Sequence, residues 1–264
     1  MNVLVVGAGE MGRWFASAVR NGSDDAVTVA FADADPAVAE AAADVLDART
    51  AALDTDETFD VVCIAVPIPV AETVIEEHAE RAEVAIVDLA GYMAGPLAAM
   101  REHAPDRERL SLHPLFAAEN APGNVAAVVD SDGPTVETIR EALTARGNTW
   151  VDTDAATHDE AMETVQAAAH TAVLAFALAA EDVPPEFQTP VSAGLFDLVA
   201  QVTGNDPRVY ADIQATFDGA EAVAEAADRI AAADADTFVD LYLEASEHMA
   251  SQTAGERSGE GSER

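Results

Sequence analysis

Six residues near the N-terminus, GAGEMG at 7–12, restrict this chain more than any other stretch. They follow a short apolar run, NVLVV (2–6). They lead into MGRWFASAVRNG (11–22), where Trp14, Phe15, Ala18 and Val19 recur at helical spacing before a glycine stop. A strand, a G-x-G-x-x-G turn and a helix in this order open a dinucleotide-binding βαβ unit. Gly7 permits the tight turn, Gly9 lets backbone approach a pyrophosphate, and Gly12 allows close helix–strand packing. The amides around Ala8, Glu10 and Met11, at the positive end of the helix, suit phosphate oxygens. Asp33 ends the next β-branched run, VTVAFAD (27–33), 21 residues after Gly12. A carboxylate there accepts from ribose hydroxyls and repels a 2′-phosphate, so NAD is the expected cofactor and NADP is disfavoured. Asp35, just before Pro36, fits the competing role of helix N-cap better than Asp33 does.

The first half of the chain continues this alternation. Strand-like runs at 60–67, 84–90, 109–114, 124–130 and 149–153 are separated by helical patterns at 36–45, 69–82, 95–104 and 134–147. Continuous apolar strands between helices predict a parallel sheet covered on both faces, with its ligand site at the carboxyl ends of the strands. The loop AVPIPVAET (65–73) leaves such a strand, and its Val66 and Pro67 backbone is placed on the nicotinamide side of the crevice. After about residue 153 the strand signals stop. DEAMETVQAAAHTAVLAFALAAED (159–182) reads as one long apolar helix, and further helices continue to about residue 249. The fold class is therefore α/β: a Rossmann domain over 1–152, then an all-helical domain over 153–250. A polar, glycine-rich tail over 251–264 is expected to be disordered. Helices apolar on every side need burial, and a second copy of the chain supplies it, so a homodimer built by the helical half is expected.

The chain carries 49 acidic and 13 basic residues, a net charge of −36, and every basic residue is arginine. A polyanion needs a basic footprint, so nucleic-acid binding is excluded. The acids are scattered, which makes the charge a property of the whole surface. Such a surface repels itself until salt screens it, at a Debye length of roughly 3 Å near 1 M. A salt-loaded cytoplasm is the expected setting. No apolar run reaches 18 residues, so no transmembrane helix is expected, and the N-terminus has no basic leader. The single cysteine, Cys63, lies in VVCIAV, allows no intrachain disulfide and reads as a buried thiol, in keeping with a reducing compartment.

Two further stretches carry chemistry. SLHPLFAAEN (111–120) places a lone imidazole, His113, before a proline and ahead of Glu119. On its own this fits a core or turn histidine. THDEAMETVQAAAH (157–170) puts Asp159, Met162, Gln166 and His170 on one helical stripe, with His158 as a possible cap. Polar groups in an apolar helix either satisfy one another or face a site. None of the six histidines has metal-ligand spacing, so no metal is expected.

Together these residues resemble the prephenate dehydrogenase family of tyrosine biosynthesis. The resemblance rests on GAGEMG, VPIPVAETVI (66–75), VDLAGYMAGPLAAM (87–100), LHPLF (112–116), HDEAMETVQAAAH (158–170), TPVSAGLFDLV (189–199) and NDPRVYADIQ (205–214). It implies an NAD-dependent oxidative decarboxylation of prephenate, with the site between the two domains. It also implies that His113 bonds the ring hydroxyl and takes its proton, that Glu119 stands at the site mouth, and that His170 lies near substrate. Many members read D-x-x-S-V-K where this chain has Gly91, Tyr92 and Met93 in place of the last three. Many also carry an arginine where this chain has Gln201. A serine, a lysine and a carboxylate-gripping arginine are thus replaced. Tyr92, Arg13 or Arg208 could compensate; the substrate could be arogenate; or the chain could be a nucleotide-binding regulatory dimer without chemistry.

Overall fold

The computed structural model describes residues 1–259. Its first part alternates as read from the sequence. In order the elements are β1 (Asn2–Val6), α1 (Glu10–Gly22), β2 (Thr28–Ala32), α2 (Pro36–Leu46), β3 (Arg49–Thr50), β4 (Phe59–Ile64) and α3 (Ala71–His78). They continue with β5 (Ala82–Asp88), α4 (Ala94–His103), β6 (Glu108–Pro114), β7 (Asn124–Ser131), α5 (Pro134–Ala145) and β8 (Thr149–Asp152). The strands form one sheet in the order β3-β2-β1-β4-β5-β6-β7-β8. The run from β3 to β6 is the Rossmann order, with the strand sequence reversing between β1 and β4.

One pairing departs from the expected parallel sheet: β7 runs antiparallel to β6, with His113 opposite Ala126. The connection over 115–123 is too short for a helical crossover, so the chain turns back instead. Strand β3 spans two residues and leaves no pattern in the sequence.

Side chains alternate across the strands and build two cores. Val3, Val5, Val61, Cys63 and Val87 pack with Phe15 and Val19 of α1 and Ile139 of α5. Leu4, Val6, Val62, Ile64 and Ile86 pack with Ile75 of α3 and with Leu97 and Met100 of α4. At the far end of β6, Asp130 takes Arg101 at 2.5 Å and Arg109 at 2.7 Å. Burial alone would raise that carboxyl, but the two guanidiniums outweigh it and hold it below the usual range.

The helical part comprises α6 (Ala155–Met162), a π-helical stretch over Glu163–Ala168, α7 (Ala169–Ala179), α8 (Pro190–Thr203), α9 (Pro207–Thr216), α10 (Gly219–Ala232) and α11 (Ala235–Gly259). The single long helix read from the sequence is present as the continuous run Ala155–Ala179, with a π-helical stretch inside it that shifts the phase of the residues beyond. The expected tail from 251 is helical as far as Gly259; its remainder lies outside the described residues.

The chain divides into two compact units. The first is Met1–Val165 with Asn205–Phe217, and the second is Gln166–Gly204 with the chain from Asp218 onward. The division falls later than the boundary drawn at 152, because α6 is bonded to the first unit through His158 and Asp159. Segment 205–217 joins that unit through Phe217, which stacks edge to face on Tyr92 at 6.2 Å.

In the second unit Phe176 of α7 meets Phe196 of α8 at 5.3 Å. Much apolar surface there stays exposed, including Leu178 at 90% and Val191 at 76%. By length and composition the run Ala155–Ala179 is long and apolar enough to cross a membrane, although no unbroken apolar run of that length exists.

Candidate active site

The glycine turn closes on the loop after β4. Gly7 has φ +96°, and a Cβ there would lie 2.2 Å from the carbonyl oxygen of Ala65 and 3.1 Å from Val66. The loop bearing Val66 and Pro67 is thereby held against the turn. A Cβ on Gly12 would lie 2.1 Å from the carbonyl oxygen of Gly7, whereas Gly9 has open space around its Cβ position. Gly9 is also the N-cap of α1 and brings no side chain to cap it, so the first amides of the helix are left for an anion.

Asp33 reaches the same place from the end of β2. One carboxylate oxygen accepts from Ala8 N at 2.8 Å and the other from Asp35 N at 2.9 Å. Asp35 itself caps α2, the role the sequence assigns to it ahead of Asp33. Glu10 and Arg13 of α1 line a groove of about 500 Å³ together with Trp14, Glu119, Arg146 and Asn148. Arg13 also donates to the carbonyl of Ala8 at 2.9 Å.

A second cluster lies at the carboxyl end of β6. His113 is 8% exposed, and its Nδ1 is 2.9 Å from Nε2 of His158. His158 Nδ1 is 2.8 Å from Oδ1 of Asp159. Asp159 in turn accepts from Met93 N and Ala94 N, each at 3.0 Å, and so caps α4 from a distant part of the chain. A carboxylate only accepts, so His158 donates from Nδ1, and as a neutral ring it accepts at Nε2. His113 therefore donates from Nδ1, and its Nε2 is an acceptor. That atom faces the turn at Gly91, where a Cβ would lie 3.1 Å from it. Burial first, and then the neighbouring His158, lower the pKa of His113 to about 3, so the ring is neutral near neutral pH.

Asp88 lies at the end of β5, opposite Ser111 of β6. It is fully buried; Oδ1 accepts from Ala90 N at 3.1 Å. Oδ2 and the Ser111 hydroxyl have no hydrogen bond of good geometry. Burial pushes this carboxyl up to about 7; the Asp159 charge adds to the rise, and Ser111 and Ala90 pull against it. Burial likewise pushes the Cys63 thiol up, as an inert core cysteine requires.

Residues 15–132 match the nucleotide-binding domain of prephenate dehydrogenase, and residues 154–240 match the dimerisation domain of the same enzyme. A 4-amino-4-deoxyprephenate dehydrogenase from Streptomyces pristinaespiralis is 35% identical over 266 residues, spanning 92% of this chain and 88% of that protein. The chain belongs to the prephenate dehydrogenase family. Members of this family are NAD-dependent oxidoreductases, and NAD is the cofactor that the glycine turn and Asp33 fit.

Among solved structures, prephenate dehydrogenase from Aquifex aeolicus with hydroxyphenyl propionate and NAD+ gives a TM-score of 0.71 at 16% identity, covering 98% of this chain and 96% of that one. Arogenate dehydrogenase from Synechocystis gives 0.61 at 18%, covering 98% and 99%. At these identities the likeness is one of fold. The matched dimerisation domain contains the whole apolar run Ala155–Ala179.

The positions at which this family member departs from common motifs acquire physical reasons. Gly91 has φ +79°, a left-handed conformation in which a serine would be strained. The missing hydroxyl is thus built into the backbone of the turn. Met93 is fully buried beside Leu97 and Met100, so this position serves the core. Tyr92 packs its ring on Phe217, and Glu119 lines the groove beside α1. Arg208 is exposed on the first turn of α9. His170, on α7, and Gln201, on α8, belong to the second unit.

The sequence reading missed the roles of His158 and Asp159. The N-cap of α6 is Asp154, which accepts from Thr157 N at 3.0 Å, so His158 is not the cap. The stripe from Asp159 to His170 also fails as a single face, because the π-helical stretch lies between them. His158 sits 45 positions from His113, and only the fold brings the two rings together.

The two inner glycines should separate folding from binding. Gly9→Ala is expected to fold normally and to weaken NAD binding by about tenfold or more, on the order of 1.4 kcal/mol. Gly12→Ala is expected to lose about 1–3 kcal/mol of stability through overpacking. Denaturant midpoints and NAD titration by fluorescence measure the two effects.

Proposed function

We propose that the chain catalyses the NAD-dependent oxidative decarboxylation of prephenate to 4-hydroxyphenylpyruvate. NAD, when bound, supplies the hydride acceptor. The supporting observation is the bonded series from Asp159 through His158 to His113, which makes His113 Nε2 an acceptor beside the Gly91 turn. A ring hydroxyl at C4 placed there donates to Nε2, and the oxygen gains electron density as hydride leaves C4. Loss of the ring carboxylate as CO2 then makes the ring aromatic. That step supplies the driving force, so the protein chiefly contributes orientation and a proton acceptor. The product phenol keeps its hydroxyl hydrogen, so His113 lends a site to the proton and returns it. His170 is assigned to the surroundings of the substrate, Arg13 or Arg208 to one of its carboxylates, and Glu119 to the mouth of the site.

A second reading is favoured by Gly91, which offers no hydroxyl beside Nε2, and by the Streptomyces relative, whose name describes an amino group in place of the C4 hydroxyl. A neutral amine at C4 donates to Nε2 as a hydroxyl does. Arogenate keeps the hydroxyl and adds a side-chain ammonium that suits acid-rich surroundings.

NADH formation by purified protein in multimolar KCl, with prephenate, arogenate and 4-amino-4-deoxyprephenate in parallel, separates these substrates. Turnover with prephenate and NAD is expected. Turnover with only one of the amines reassigns the substrate. Silence with all three, from protein that binds NAD, leaves a nucleotide-binding dimer without chemistry. His113→Asn should lower kcat by about 10²–10⁴-fold while NAD binding persists.

The exposed apolar face of the second unit is assigned to a homodimer. Leu178→Glu, at a position 90% exposed in one chain, should shift the sedimentation coefficient toward that of a monomer. A dimer of unchanged affinity would exclude this residue from the interface.

The net charge of −36 assigns the protein to concentrated salt. Dialysis into dilute buffer should abolish its cooperative thermal transition. Full activity and stability in dilute buffer would overturn that assignment.

A further inference from the structure

We propose that His158 and Asp159 are positioning residues that fix the tautomer of His113 and share the proton it takes up. Three observations carry this.

The first is donor and acceptor logic. Asp159 already accepts from Met93 N and Ala94 N, which hold its carboxylate in place. Its third contact, to His158 Nδ1 at 2.8 Å, must then be a donation from the ring. With a neutral His158 ring, the series gives His113 a hydrogen on Nδ1 and a lone pair on Nε2.

The second is burial. His113 and His158 are 8% and 3% exposed, so water is a poor competitor for either ring. The partner of each nitrogen, and not solvent, decides which one is protonated.

The third is the weakness of His113 alone. Its burial disfavours an isolated imidazolium. A base of that kind needs its positive charge delocalised or paired. As the proton of the C4 substituent moves to His113 Nε2, the hydrogen on His113 Nδ1 can move to His158 Nε2. The charge then rests on His158, in contact with Asp159. When the ring becomes aromatic, both hydrogens return and the series is restored. No proton is gained or lost over the cycle.

The proton step rests on the function proposed above, whereas the tautomer assignment does not. The test therefore has two readouts. Long-range ¹H–¹⁵N correlation spectra of the full-length chain, labelled at histidine, report which ring nitrogen is protonated. Six histidines make the spectrum assignable, with His113→Asn identifying one ring. The expected result is a protonated Nδ1 and an unprotonated Nε2 on His113.

Asp159→Asn should turn the series around, since an amide nitrogen can donate to His158 Nδ1. His113 then carries its hydrogen on Nε2, where it cannot accept. In the steady state this variant should lose about 10³-fold in kcat, with KM for NAD and for substrate within about threefold. His158→Gln keeps an acceptor for His113 Nδ1 but cannot hold the charge. It should keep the native His113 tautomer and lose kcat to a smaller extent.

A native His113 protonated on Nε2 overturns the proposal whatever the substrate. So does an Asp159→Asn variant that folds with unchanged tautomer and kcat. If Asp159→Asn fails to fold through loss of its bonds to α4, the native spectrum and His158→Gln still decide. Absence of turnover with all three substrates, alongside the expected spectrum, would reject the assigned reaction and leave the tautomer assignment standing.

Discussion

One carboxylate ties together much of what matters in the first unit. Asp159 caps α4, holds the turn that carries Gly91 and Tyr92, and orders the two histidines that end at His113. A charged group with low exposure survives only with several good partners, and here the partners are also the parts that need alignment. The turn at Gly91 and the pair of histidines share one anchor. That anchor comes from α6, outside the sheet, which explains why the first compact unit extends past the last strand.

Much of the nucleotide half was legible from the sequence. Glycine spacing, the acid at the end of the second strand and the continuous apolar strands each express a local rule, and the structure obeys them. The place of His113 at the end of a strand was legible from the proline that follows it. His158 was not, because its role depends on a partner far away in sequence. The antiparallel β7 was hidden as well: strand direction is set by loop length, and the apolar pattern of a buried strand is the same either way. In the helical half, periodicity misled where one π-helical stretch broke the phase that a 3.6-residue stripe assumes. Gly91 was read as a missing side chain, whereas the structure makes it a conformation.

The charge of the chain acts at a different scale from the site. With 13 arginines against 49 acids, most carboxylates cannot find a cationic partner within the chain. The arginines are concentrated where geometry rewards a planar fork, as in the pairs with Asp130 and the two-pronged contact between Arg229 and Glu244. The acidic residues around them form a self-repelling shell, and ions in the solvent screen that repulsion.

Asp88 has a consequence for how such a protein could evolve. Its carboxyl binds a proton more tightly in the folded chain than in the unfolded one, at about 7 against 3.8. Across that interval each rise in pH favours the unfolded state, and above it the full cost of a buried charge is carried by the fold. An apolar or amide side chain would remove the cost. The position therefore opposes robustness to whatever the carboxyl contributes beside Ser111. Selection for heat or alkali tolerance would act first on this buried carboxyl, at the end of a central strand.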